Sequence, residues 1–353
     1  MAGPELMDVV FRVDASTQVG TGHLMRSLTL AGLLRSAQAN ISFLCRELPA
    51  DLKVLVSSQY RVHTLPAGPF IAEEDATRAI SFISGSLQPD WLVIDGYGFD
   101  LAWEALARPH VKRIFVIDDL ANRRHDCDVL LDQNLCTNYL TRYDNLVPPR
   151  ARKLLGPKYA LLRPEFYEER SRLRIRDVQV RRVLIGFGGS DATDETTKAL
   201  DAMSLLGQPD IQLDVVCGPA NPHAEAVRRR CMLLPNARFH QNPANMAELM
   251  AAADLAIGAG GTSTWERCLL GLPALALVLA ENQRLVCEAM DSAGALINLG
   301  WHENVTAQDT ARAVEQLISS PERVRRMGEA ASGIMGKHGT EGRDELVQIL
   351  LHP

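Results

Sequence analysis

One histidine and three glycine-bearing turns stand where chemistry is done. Gly20-Thr21-Gly22-His23 comes after the run Phe11-Arg12-Val13-Asp14 and opens a helical pattern. A lone histidine is more often structural. At a helix start beside a glycine loop, however, it is a candidate general base, because the helix dipole favours the neutral ring that accepts a proton. Two further turns, Ile185-Gly186-Phe187-Gly188-Gly189-Ser190-Asp191 and Ile257-Gly258-Ala259-Gly260-Gly261-Thr262-Ser263-Thr264, each join a strand-like run to a helical pattern. Any α/β turn tolerates glycine, but amides at a helix start, with glycine allowing close approach, also make an anion cradle suited to phosphate. Gly188 and Gly260 lie 72 residues apart (260 − 188). That is about two βα units, so both turns can address one diphosphate. A dinucleotide fingerprint is the poorer reading of the first turn, since Met25 stands where GxGxxG needs its third glycine.

The elements that must position these turns alternate from end to end, the pattern of parallel βα units. Strands are expected at 9–14, 41–45, 62–65, 91–95, 113–118 and 129–132, and again at 182–186, 212–217, 237–240, 255–258, 274–278 and 296–299. The charged stretch from Pro164 to Arg176 separates the two sets. It reads as a solvated interdomain helix and linker. The fold class expected is therefore α/β, with a Rossmann-like domain over 1–170 that carries the base and a second over 177–353 that carries the phosphate turns. A final amphipathic stretch from Thr340 to Leu351 can pack on either half. Ligands of open α/β sheets bind at the carboxyl ends of the strands, so the expected site is a cleft in which the two domains face each other.

Composition narrows the class. The chain has 353 residues, 46% of them hydrophobic and 23% charged, room for about two domains with their own cores. The longest apolar run, Leu269 to Ala280, is broken by Pro273 and shorter than a membrane span, and the acidic start does not read as a signal peptide. A cytoplasmic protein without a membrane partner is expected. Seven cysteines without a CxxC pair fit buried thiols rather than a disulfide or zinc framework. His125 and Cys127 lack a third ligand at zinc spacing, so no metal site is expected. A net charge of −6 argues against a nucleic-acid partner.

Taken together, Phe11-Arg12-Val13-Asp14-Ala15-Ser16, Gly20 to Arg26, Asp95-Gly96-Tyr97-Gly98, Asp118-Asp119, Trp265-Glu266-Arg267-Cys268 and Leu279-Ala280-Glu281-Asn282-Gln283 resemble one family. It is that of the UDP-2,4-diacetamido-2,4,6-trideoxy-beta-L-altropyranose hydrolases of pseudaminic acid biosynthesis, relatives of the GT-B glycosyltransferases. The glycine-histidine turn alone marks the superfamily, and Asp-x-Tyr-Gly with Glu-Asn-Gln narrows it to the hydrolase. The resemblance runs in order from about residue 9 to about residue 300 and implies a GT-B-like fold. It gives His23 the role of general base, with Gly20 and Gly22 in the substrate-binding turn. Tyr97 and Asn282 would line the sugar pocket, and Glu266 would hydrogen-bond ribose. Gly260, Gly261, Thr262 and Ser263 would cradle the diphosphate, and the segment from His240 to Met246 would hold uracil through backbone groups. Arg12, Asp14 and Arg26 would hold the loop in shape.

The implied reaction is attack of water on the anomeric carbon, with inversion, releasing UDP and a free sugar that feeds nonulosonic acid synthesis. UDP is a good leaving group, so a base and oriented dipoles suffice, and neither a metal nor another cofactor is expected. Two alternatives share the features. A GT-B glycosyltransferase would use an acceptor hydroxyl in place of water, and a non-catalytic nucleotide-sugar sensor would keep the cradle without needing His23.

Overall fold

The computed structural model describes residues 6–15, 22–66, 68, 70–85, 88–173, 179–336 and 339–353. The chain divides into two compact units, the first made of the chain up to Asn134 with Asn138–Leu161 and Gly342–Pro353, the second of Leu135–Thr137 with Leu162–Glu341.

The first unit holds strands β1 (Asp8–Val13), β2 (Asn40–Cys45), β3 (Arg61–Thr64), β4 (Trp91–Asp95), β5 (Arg113–Ile117), β6 (Val129–Asp132) and β7 (Arg152–Leu155). They form one parallel sheet in the order β3-β2-β1-β4-β5-β6-β7. The central strands are aliphatic without alternation, as burial of both faces demands. One face packs Phe11 on Phe43, ring centroids 4.9 Å apart, and the other packs Trp103 against Phe99. β7 was not anticipated. Its four residues begin with Arg152 and Lys153 at the sheet edge, too short and too charged to show a strand pattern.

The second unit holds β8 (Arg182–Gly186), β9 (Gln212–Cys217), β10 (Ala237–Gln241), β11 (Leu255–Ala259), β12 (Ala274–Val278) and β13 (Ile297–Trp301). Their order is β10-β9-β8-β11-β12-β13, again parallel throughout. In each sheet the chain runs outward from the first strand and then returns to its other side. The switch points fall at β1/β4 and at β8/β11, where ligands of doubly wound sheets bind.

The units divide ahead of the charged stretch rather than within it. Pro164–Ser171 is a helix of the second unit, started by a proline at its first turn and tied down where Arg170 donates to the Leu269 carbonyl. The closing helix Glu341–Leu351 belongs almost wholly to the first unit. It buries Leu346, Ile349 and Leu350 there, and the Trp91 indole donates to the Leu350 carbonyl at 2.9 Å. All seven cysteines are buried.

Candidate functional site

Both groups of candidate residues sit at the switch points. β1 and β4 run side by side with Val13 opposite Asp95. The helix Gly22–Ser36 is the next element after β1 and has His23 as its second residue, while β4 ends on Asp95 itself. The imidazole is nearly buried, and its Nδ1 lies 2.5 Å from Asp95 Oδ1. Burial alone would raise the Asp95 carboxyl. The Arg26 guanidinium, with help from His23, outweighs it and holds the group at about 2. Arg26 grips both oxygens of that carboxylate, through Nε and Nη2 at 2.6 Å each, and Nη1 donates to Asp119 Oδ2 at 2.9 Å. Arg26 Nη2 also lies 2.9 Å from the Nδ1 of His23. The ionised Asp95 is the acceptor common to both, so the ring keeps its proton on Nδ1. That tautomer leaves the basic lone pair on Nε2.

Tyr97 follows two residues after Asp95 and meets the His23 ring edge-on, centroids 4.6 Å apart. It is 39% exposed. Gly22 is the exposed first residue of the helix, and Gly20 lies outside the described residues. The loop that Arg12 and Asp14 are expected to hold lies outside the described residues after Ala15, and their bonds, apart from the one between them, run to other segments. Buried Arg12 pairs with Asp75 at 2.6 Å and donates to Asp14 at 2.9 Å, and Asp14 accepts from the Arg46 and Glu47 amides.

In the second unit the turn after β11, Gly260 to Thr262, leads into the helix Ser263–Leu269. β11 lies against β8 with Gly258 opposite Gly186, so closely that a Cβ on Gly258 would stand 2.5 Å from the Gly186 carbonyl oxygen. A Cβ on Gly260 would collide with Cys287 Sγ. Glycine is therefore required at both positions for packing. Gly261, Thr262 and Ser263 are half-buried. Beneath them Arg267, itself buried, donates to the Ala259 carbonyl at 2.8 Å, to Thr264 Oγ1 at 3.0 Å and to Ser263 Oγ at 3.2 Å. Its guanidinium ties the strand end to the helix start and adds positive charge under the turn.

Glu266, one turn into that helix, is half-buried, and Arg163 Nη2 approaches its Oε1 at 3.5 Å. Burial pushes its carboxyl up, with Arg163 and Arg267 opposing. Asn282 is exposed in the first turn of the helix Glu281–Ser292, next to Gln283, whose Oε1 accepts from the Leu279 amide at 3.0 Å. On the β10 side, His240 is bound to Asp214 at 2.8 Å, and the Asn242 amide donates to the Cys217 carbonyl.

The structure thus gathers His23 and Tyr97 in the first unit, and Gly260 to Ser263 with Glu266 in the second. It adds Asp95, Arg26 and Arg267, which sequence reading left without a catalytic or binding role. A signal was present: in the doubly wound order 3-2-1-4, which this sheet has, Asp95 ends the strand next to β1 and lies beside the start of the helix that follows β1. His125 is structural, bonded through Nδ1 to Glu104 at 2.6 Å. Among the described residues no group of three or more His, Cys, Asp or Glu side chains could hold a metal ion, and no helix is long and apolar enough to cross a membrane.

Comparison with known proteins fits this geometry. Residues 183–340 match the glycosyltransferase family 28 C-terminal domain. Over 285 residues the chain is 27% identical to an uncharacterized protein of Methanocaldococcus jannaschii, covering 79% of this chain and 57% of that one. It is 34% identical over 168 residues to the spore coat polysaccharide biosynthesis protein SpsG of Bacillus subtilis, covering 47% and 49%. The matches therefore span about half the length of these two relatives. It is 29% identical over 278 residues to the UDP-2,4-diacetamido-2,4,6-trideoxy-beta-L-altropyranose hydrolase of Campylobacter jejuni, covering 78% of this chain and 93% of the relative. MurG of Acinetobacter baumannii superposes with a TM-score of 0.68 at 14% identity, over 98% of this chain and 100% of that one. With two parallel-sheet α/β units and such neighbours, the chain has a GT-B-like fold, and it resembles the Campylobacter hydrolase along most of its length.

Proposed function

We propose that the chain hydrolyses a UDP-sugar, releasing UDP and the free sugar by attack of water on the anomeric carbon. The match to a glycosyltransferase family 28 C-terminal domain supports a nucleotide-sugar ligand, and the name of the Campylobacter relative supports hydrolysis of a UDP-diacetamido-trideoxy sugar. The observation that carries the reading is the His23–Asp95 pair: a buried carboxylate fixes the imidazole with its lone pair on Nε2, as a base for water requires.

In this mechanism Nε2 of His23 takes a proton from water as its oxygen bonds to the anomeric carbon. The bond from that carbon to the diphosphate oxygen breaks, and UDP leaves with the electron pair. Asp95 stabilises the imidazolium that forms. Tyr97 and Asn282 orient the sugar, and Gly20 and Gly22, just before the base in sequence, take part in substrate binding. Backbone amides around Gly260, Gly261, Thr262 and Ser263, with the charge of Arg267 below them, receive the diphosphate, while Glu266 accepts from ribose hydroxyls. A single displacement inverts the anomeric centre.

A panel of UDP-diacetamido sugars followed by product NMR tests the proposal. Release of free sugar, undiminished by EDTA, is the expected result. The GT-B-like fold favours glycosyl transfer as the second reading. Turnover only when an acceptor alcohol is added would establish it, and UDP binding without turnover would indicate a sensor.

A further inference from the structure

The doublet Asp118-Asp119 follows β5 directly and has no part in the mechanism above. Its two carboxylates reach the two halves of the first-unit site by separate routes. Asp119 Oδ2 accepts from Arg26 Nη1 at 2.9 Å, on the far side of the guanidinium whose Nε and Nη2 hold Asp95. Asp95 in turn holds His23. Asp118 is buried, and its Oδ1 pairs with Arg123 Nη1 at 2.8 Å. Its Oδ2 accepts from the Tyr143 hydroxyl at 2.8 Å and from the Ala121 amide at 2.9 Å. Arg123 Nη1 also donates to Asn122 Oδ1 at 3.1 Å, while Nε donates to the Phe99 carbonyl at 2.6 Å and Nη2 to the Gly96 carbonyl at 3.1 Å. Those two carbonyls flank Tyr97.

We propose that Asp118 and Asp119 are positioning residues forming one brace with two arms, in which Asp119, through Arg26, orients the His23–Asp95 base, and Asp118, through Arg123, holds the turn that presents Tyr97 to the sugar. Each arm is a chain of charge-assisted hydrogen bonds with little exposure to water, so each is stiff. Because the two acids are consecutive, their backbone fixes the separation of the arms, and with it the edge-on contact of Tyr97 and His23. A side chain held this way lies in the productive geometry before substrate arrives, and misplacement by an ångström costs roughly 100-fold in rate.

This proposal rests on the hydrolytic reading for its kinetic arm only. The test compares Asp119→Asn with Asp118→Asn and Arg123→Lys, reading kcat and KM for UDP-sugar hydrolysis and, on the unliganded protein, the downfield proton resonance of the His23 Nδ1–H. Asp119→Asn is expected to lower kcat by roughly 10- to 100-fold, to change KM by less than about 3-fold and to broaden or lose the resonance. Asp118→Asn and Arg123→Lys are expected to keep the resonance and to raise KM by about 10-fold. Asp119→Glu, which keeps the charge, should recover most of the Asp119 loss, and it carries the comparison if the Asn variant does not fold. The proposal is overturned if Asp119→Asn leaves the resonance and kcat as in the wild type, or if both arms change the same constant by the same factor. If the wild type turns over no UDP-sugar, the hydrolytic reading fails, and the resonance still decides whether Asp119 orients His23 through Arg26.

Discussion

Replacing Asp95 by asparagine keeps the shape of the buried side chain and removes the charge on which the base depends. Its partners, Nδ1–H of His23, the Arg26 guanidinium and, at 3.4 Å, the Ser27 hydroxyl, are all donors, and asparagine offers them one oxygen and one NH2 group. With its oxygen toward His23, the NH2 opposes Arg26 Nε. With the NH2 toward His23, the ring must move its proton to Nε2 and lose the lone pair that activates water. Arg26, nearly buried, retains Asp119 as its remaining carboxylate. Breaking a buried pair costs about 3–5 kcal/mol, and the surviving partner places this loss near ~2–3 kcal/mol. Turnover should fall by about 10² to 10⁴, the range for losing a general base. Thermal unfolding and product NMR read the two effects. If Asp95 acts through His23, the double variant with His23→Ala should turn over no more slowly than His23→Ala alone. A rate within about 3-fold of the wild type for Asp95→Asn, or losses that multiply in the double variant, would refute the coupling.

Glu266→Ala should raise KM and weaken UDP binding by about 10-fold with kcat little changed, since a ribose contact is made equally in ground and transition states; calorimetry with UDP showing unaltered affinity would return Glu266 to a packing role. Gly260→Ala drives a methyl into Cys287 and should weaken UDP binding or folding, measurable by the same titration and by melting, whereas an unchanged protein would mean the turn yields freely. Asp132, at the end of β6, gives a pH signature. Burial pushes its carboxyl from the ordinary 3.8 up to about 7, only partly opposed by Arg142 and the Asn134 amide. The folded state therefore binds the extra proton, and stability present below about pH 4 is lost as pH rises through 7. Asp132→Asn removes this loss, so its stability relative to wild type should improve by on the order of 2–4 kcal/mol between pH 4 and pH 8. Chemical denaturation at the two pH values with a constant difference would contradict it.

Much of this architecture could be read from the chain because parallel strands buried on both faces are short runs of aliphatic residues, such as Trp91–Asp95 and Ala274–Val278. The turns were legible too, since glycine at 258 and 260 answers a local steric demand. What stayed hidden depends on residues far apart in sequence. His23 and Asp95 meet across 72 positions, and Arg26 and Asp119 across 93, so only the sheet order β1-β4-β5 joins them. Tyr97 and Glu266 were singled out through resemblance. The exposure of one and the carboxyl of the other, raised by burial, are features that spacing alone does not show. The unit boundary was misplaced for a similar cause. Charge density marks a solvated surface, which a helix packed on its own unit also has, and the closing helix shows its preference only through Leu346, Ile349 and Leu350 meeting the core beneath Trp91.

The central claim is that a base in the unit carrying Tyr97 activates water for attack on carbon. Hydrolysis of the UDP-sugar in oxygen-18 water tests it most directly. The account predicts label in the C1 hydroxyl of the free sugar, unlabelled UDP, and the inverted anomer in spectra taken before mutarotation. Label in UDP would place the attack at phosphorus and remove His23 from the role of base, and a retained anomer would require two displacements and a carboxylate nucleophile in its place.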